Sequence, residues 1–182
     1  MKGGKAVSLA DLDSARKGDG DAFARLVEPL ESRLYQLALG VTGNRQDAED
    51  VWQNALLRGW KGLKGLRDPQ TLRPWMSRIV INEARRIQRR RRPETLDAEA
   101  FENLVPATEE REIRRLTVLS CLQEMEPDQR EVIVLRFWLD LPLDQIAGII
   151  GVPLNTAKSR LYRGLECLKS HLLEEDYADG RD

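Results

Sequence analysis

Histidine, cysteine and aromatic side chains are all scarce in this chain. One histidine, His171, and two cysteines, Cys121 and Cys167, occur among 182 residues. Each cysteine stands singly in a helical pattern, so no zinc or redox spacing is present and no metal site is expected. They read as reduced helix residues rather than a disulfide pair. A Gly-rich phosphate loop and a Ser/Cys–His constellation are both missing, and one histidine near the end is a weak base candidate. The sequence therefore disfavours an enzyme and implies no cofactor. Aromatics amount to 5% and charged residues to 32%, with Leu, Arg, Ala and Glu prominent. That balance favours small helical units over a sheet protein. No run approaches the roughly 18 apolar residues of a membrane span. The opening MKGGKAVSLADLD has no apolar core suited to a signal peptide. Direct membrane insertion is excluded on this reading, and a cytoplasmic location is expected.

What is present is unevenly charged. The formal net charge of −1 conceals +8 over residues 1–92, −6 over 93–112 and −3 over 113–182. Local charge, not the isoelectric point, is the guide to nucleic-acid binding here.

The most informative stretch begins at Leu143, LDQIAGIIGVPLNTAKSRLYRGL. Ile146, Ile149 and Ile150 recur at helical spacing, Gly151 ends that helix, and Pro153 suits the first turn of the next. Ala157, Leu161, Leu165, Leu168 and Leu172 share one face. Thr156, Ser159 and Arg163 then point the other way, flanked by Asn155, Arg160 and Tyr162. Hydroxyls, an amide and guanidinium groups can bond base edges and phosphates in a major groove, as a helix-turn-helix does. A solvated face on a bundle helix pair is the plainer alternative.

Further elements can be read along the chain. Residues 8–17 form a short lead helix capped by Ser8, and Asp19 or Asp21 caps a longer one running to about Leu39. Phe23, Leu26, Leu30, Leu34 and Leu37 fall on one side of it, and Pro29 implies a kink or two shorter helices. Gly43 closes it, and Asn44 caps the next helix, which runs to about Lys64. The loop KGLRDPQTLRP leads into a helix from about Pro74 to Arg91. Pro93 ends the first unit. Residues 93–110 read as a flexible acidic linker. Helices are expected at 111–125, 128–138, 143–150 and 154–172, with a disordered acidic tail over 175–182. The fold class is all-α: two small helical domains, 8–92 and 111–174, the second holding the helix-turn-helix.

Six arginines lie between Arg85 and Arg92. Cations belong at a helix C-terminus in any case. Yet Arg78, Asn82, Arg85 and Arg89 fall in one stripe, away from Met76, Ile79, Val80 and Ile87. Such a stripe can track a phosphate backbone, with arginine gripping phosphate bidentately. Two DNA-facing elements on one tether suggest a chain that grips DNA at two places.

With these segments in view, the sequence resembles the bacterial RNA polymerase sigma factors of the extracytoplasmic function group. The resemblance is carried by DAFARLVEPLESRLYQLALGVTGNRQDAEDVWQNALLRGWKGL, LRPWMSRIVINEARRIQRRRR, LQEMEPDQREVIVLRFWLDLPLDQIAGIIGVP and NTAKSRLYRGLECLK. It covers about residues 20–172 without the linker. It implies a non-catalytic subunit that binds core polymerase and directs promoter-specific initiation, under an anti-sigma factor. It also implies that Asp47, Glu49, Asp50, Gln53 and Arg58 dock on the beta-prime clamp helices, with the beta flap a further core contact. Lys64, Arg67, Asp68, Gln70 and Thr71 match the loop that captures a flipped minus-ten base, and Arg78, Asn82, Arg85 and Arg89 match the helix on the adjoining duplex. Asn155, Thr156, Lys158, Ser159, Arg160 and Arg163 match the minus-thirty-five reader.

Departures from the family pattern are Asn54 where Glu is common, Pro142 in place of a hydroxyl cap, and Asn155 where Gly is frequent. The loop Lys64–Thr71 has no aromatic residue, which implies weak strand opening and a strict promoter requirement. Trp52, Trp60, Trp75 and Trp138 read as core or seam residues. The competing reading is a free-standing helix-turn-helix transcriptional regulator, which would leave DAEDVWQNALLRGW and the arginine-rich helix unexplained.

Overall fold

The computed structural model describes residues 8–90, 121–122 and 124–179, with side chains up to 171. The described residues form seven α-helices and two 3-10 turns, without a strand. The helices are α1 (Leu9–Arg16), α2 (Gly20–Thr42), α3 (Arg45–Gly62), α4 (Leu72–Gln88), α5 (Pro127–Phe137), α6 (Leu143–Ile150) and α7 (Leu154–Asp179). Among the described residues no helix is long and apolar enough to cross a membrane. The expected linker over 93–110 lies outside them. So does most of the helix expected at 111–125, of which Cys121, Leu122 and Glu124 are helical.

Local chemistry sets the helix starts. Side-chain oxygens of Ser8, Asp19 and Asn44 accept from the N–H three residues on, at 3.3, 3.0 and 3.0 Å. Each such cap contributes about 1 kcal/mol. Gly43 ends α2 in the left-handed conformation at φ 70° and Gly151 ends α6 at φ 75°. An L side chain is strained at such angles. α6 has Pro142 before it and no side-chain cap, leaving Asp144 in its first turn.

Two expectations need correction. α2 is one helix through Pro29, not two shorter ones. Pro29 lies on the exposed face, so the carbonyl that loses its partner can meet water, while Leu26, Val27 and Leu34 anchor both halves. The chain also stays helical through Asp179, past the point where a disordered tail was expected. Leu and Glu are strong helix formers, and the first breaker after Ser170 is Gly180.

α2, α3 and α4 pack on one another with α1 laid against α2, and α5, α6 and α7 form a second group. The two groups also touch, α2 against α5 and α4 against α6. At the first contact a Cβ on Gly40 would lie 2.9 Å from Val134 Cγ1, so glycine is what lets α2 approach α5 this closely.

Candidate nucleic-acid interface

α7 carries the second unit's candidate reader. Ala157 and Leu161 are buried against α5 and α6, with Leu165 and Leu168 half-buried behind them. That seating turns Asn155, Lys158, Ser159, Tyr162 and Arg163 outward, all exposed, with Thr156 and Arg160 half-buried at the edges. Pro153 stands one residue ahead of α7, where its carbonyl accepts from Thr156 and Ala157 at 2.9 and 3.1 Å. Arg160 is paired with Asp128 at the start of α5, so one expected DNA contact also braces the motif.

The stripe on α4 has a different fate. Arg78, Asn82 and Arg89 are exposed and Arg85 is half-buried, and Arg78 and Arg85 reach into the second unit. Arg78 donates to the Gly148 carbonyl at 2.5 Å, and Arg85 donates to the Ile150 carbonyl at 3.2 Å. Both carbonyls belong to the last turn of α6, where a helix leaves its acceptors unmatched and its dipole is negative. The basic helix of one unit thus supplies the C-terminal cap of the other's first motif helix. Arg85 also grips Glu131 of α5 with two bonds, 2.7 and 2.6 Å. At Arg85 this pairing dominates and raises the guanidinium pKa. At Glu131, which is 2% exposed, burial dominates and pushes the carboxyl up while Arg85 opposes it. Losing the arginine would strand a buried charge. A cavity of about 510 Å³ runs over this seam, lined by Arg85, Arg89, Arg160, Asp128 and Glu131 among others.

Between α3 and α4 the expected loop is pinned by buried Leu63 and Leu66, and Lys64, Arg67, Asp68, Gln70 and Thr71 are all exposed. Asp68 organises it: its carboxylate accepts from the Gln70 N–H at 2.8 Å, and its carbonyl accepts from the Thr71 hydroxyl at 2.7 Å. Trp60 packs edge-on to Phe23 with ring centroids 5.3 Å apart, and it also lines a cavity of about 340 Å³ beside Lys64.

The candidate docking face on α3 is narrower than expected. Glu49, Asp50 and Gln53 are exposed, whereas Asp47 is buried at the start of the helix. Arg58 is exposed but pairs with Glu83, a carboxylate only 1% exposed that Arg86 also grips at 2.7 Å. Sequence reasoning missed Glu83; its position three before Arg86 was the available signal. It also missed Leu57, a large apolar side chain 59% exposed, four residues after Gln53 on the same face.

Comparison with known proteins agrees with this layout. The family model described as Sigma-70 region 2 matches residues 26–94, and that described as Sigma-70, region 4 matches residues 115–168. The RNA polymerase sigma factor SigV of Bacillus subtilis (strain 168) is 31% identical over 144 residues, 79% of this chain and 86% of SigV. The ECF RNA polymerase sigma factor SigW of the same organism is 31% identical over 176 residues, 88% of this chain and 94% of SigW. Among solved structures, CnrH in complex with the cytosolic domain of CnrY superposes with a TM-score of 0.68 at 26% identity, over 92% of this chain and 97% of that one. The sigma factor RpoE in complex with the anti-sigma factor NepR from Bartonella quintana shares the fold, with a TM-score of 0.67 at 21% identity over 82% and 96% of the two chains. With both sigma regions matched in order and near full-length relatives at this identity, the chain belongs to the RNA polymerase sigma factor family, in its extracytoplasmic function group.

Proposed function

We infer that this chain recruits core RNA polymerase to promoters through three surfaces of its own. The observation that carries the reading is the exposed polar face of α7, Asn155, Lys158, Ser159 and Arg163, seated on a helix-turn-helix inside a sigma-family chain. That face reads the minus-thirty-five element, with arginine and asparagine contacting base edges. The exposed loop from Lys64 to Thr71 holds an unstacked minus-ten base, and Asn82, Arg89, Arg78 and Arg85 track the neighbouring duplex. The α3 face of Glu49, Asp50, Gln53 and Leu57 docks on the beta-prime clamp helices, charge orienting the contact and Leu57 supplying its apolar centre. In the second unit, Phe137 is 57% exposed at the end of α5 and suits the beta flap.

Arg78 and Arg85 are engaged by α5 and α6, so duplex tracking requires the two units to part. Phosphates then replace Glu131 and the α6 carbonyls as partners of the arginines. The chain has no catalytic role in this scheme and works in the cytoplasm. An anti-sigma factor is the partner expected to hold it inactive; the structurally similar sigma factor RpoE is found in complex with the anti-sigma factor NepR.

Reconstituted transcription tests the proposal. Core polymerase with this chain should initiate at selected promoter sequences, and core polymerase alone should not. Repression, or no effect, would instead favour a free-standing helix-turn-helix regulator.

A further inference from the structure

Among residues given no DNA or polymerase contact, the fold gathers the chain's two cysteines and its one histidine. Cys121 and Glu124 stand on helical residues ahead of α5, while Cys167 and His171 sit one turn apart on α7. The two Sγ atoms are 2.9 Å apart, and His171 Nδ1 is 3.9 Å from the Cys167 sulfur. One donor atom from each of the three residues falls within 4.8 Å of the others. The ring is held at both nitrogens: Nε2 lies 2.9 Å from Glu124 Oε2, and Nδ1 lies 2.9 Å from the Cys167 carbonyl oxygen. Cys121 is buried, and Cys167 and His171 are half-buried.

We propose that Cys121, Cys167 and His171 bind a zinc ion, with Glu124 orienting the histidine. Tetrahedral zinc, with Zn–S near 2.3 Å and Zn–N near 2.0 Å, needs donors roughly 3.3–3.8 Å apart. The separations of 2.9 and 3.9 Å lie on both sides of that range, and side-chain rotation is the adjustment that zinc would require. Two thiolates and an imidazole match the borderline softness of zinc.

Glu124 strengthens the assignment. A ligating histidine commonly donates its other N–H to a carboxylate, which fixes the tautomer and raises the basicity of the ligand nitrogen. With Nε2–H donating to Glu124, Nδ1 leaves its 2.9 Å contact with the Cys167 carbonyl oxygen to take the metal. Binding releases both thiol protons and the Nδ1 proton to solvent, and water fills the fourth position. A disulfide would use the sulfurs alone and give His171 and Glu124 no part. Zinc uses all four groups and ties the base of the reader helix to the segment before α5.

The test uses the full chain, reduced, stripped of metal and kept under argon. Zn²⁺ is titrated against a chromophoric chelator, with Co²⁺ as the optical probe. One ion per chain is expected, with thiolate-to-cobalt charge-transfer bands and tetrahedral d–d bands. C121S and C167S should each remove at least half of the charge-transfer intensity, the double variant all of it, and H171A should weaken binding more than tenfold. E124Q should weaken it by about tenfold, as loss of an outer partner does. Zinc should raise the melting temperature of the native chain by several degrees and leave that of C167S unchanged, with circular dichroism confirming that each variant is folded. Cobalt uptake without thiolate bands, zinc retention by the folded C121S/C167S variant, or formation of a Cys121–Cys167 disulfide despite bound metal would overturn the proposal.

Discussion

The two units use their cationic side chains in opposite ways. In the first, Arg58 and Arg86 hold buried Glu83, and Arg78 and Arg85 cap α6 or grip Glu131. In the second, Arg130 and Arg136 hold backbone carbonyls and Arg160 braces Asp128, while the candidate readers Lys158 and Arg163 stay exposed. One reading face is therefore open in this conformation and the other is half closed. In the proposed scheme Arg85 gives up Glu131 for phosphate and Arg160 gives up Asp128, whereas Lys158 and Arg163 need no exchange.

Four measurements would break or sharpen that contrast. The largest effect belongs to Glu83. Replacing Arg58 and Arg86 together by Ala strands a buried carboxylate and should lower stability in urea by about 3–5 kcal/mol. E83Q should cost less, because both arginines can turn to water. Equal small losses would mean these arginines are not needed for the fold.

Arg163→Ala should weaken minus-thirty-five duplex binding by about 1–3 kcal/mol, and only on the preferred sequence. The same loss on every sequence would make Arg163 a phosphate contact and remove the base-reading part of the contrast.

Gly40→Ala attacks the seam. The added methyl meets Val134, an overpacking worth about 1–3 kcal/mol, while Ala favours α2 by roughly 0.5–1 kcal/mol. The chain should expand in small-angle scattering without the first unit losing stability. A compact G40A chain would show that α2 and α5 need not touch so closely.

The smallest effect is electrostatic. Replacing exposed Arg89 by Ala, with Arg85 left on Glu131, should lower the salt slope of promoter binding by nearly one unit if it contacts a phosphate. An unchanged slope would take Arg89 out of the DNA interface.

The parts of this fold legible in the sequence are those fixed by neighbours in the chain. Ser8, Asp19 and Asn44 announce helix starts because each cap acts within three residues. Gly43 and Gly151 announce ends because only their backbone tolerates the turn. The buried face of α7 follows from the spacing of Ala157 and Leu161, and its open face follows in turn. Pro29 left a kink or two shorter helices open, and one continuous helix resulted because its cost depends on which side it faces, which packing sets. The seam was hidden for a similar reason: Arg85 and Glu131 are 46 residues apart, so no local pattern ties them. Cys121 and Cys167 share that separation, and each looked solitary until the helices were folded together. Asp47, to which the family resemblance gives a docking role, is buried at the start of α3, a placement no local pattern announces.

The distance between the units tests the central claim most directly. Spin labels on non-native amino acids at Glu28 and Glu166, both exposed and outside the proposed DNA and polymerase faces, would leave the cysteines untouched. The account predicts a short, narrow distance distribution in the free chain and a longer one once core polymerase and promoter DNA are bound. A distance that does not change on forming that complex, or one already long in the free chain, would contradict it.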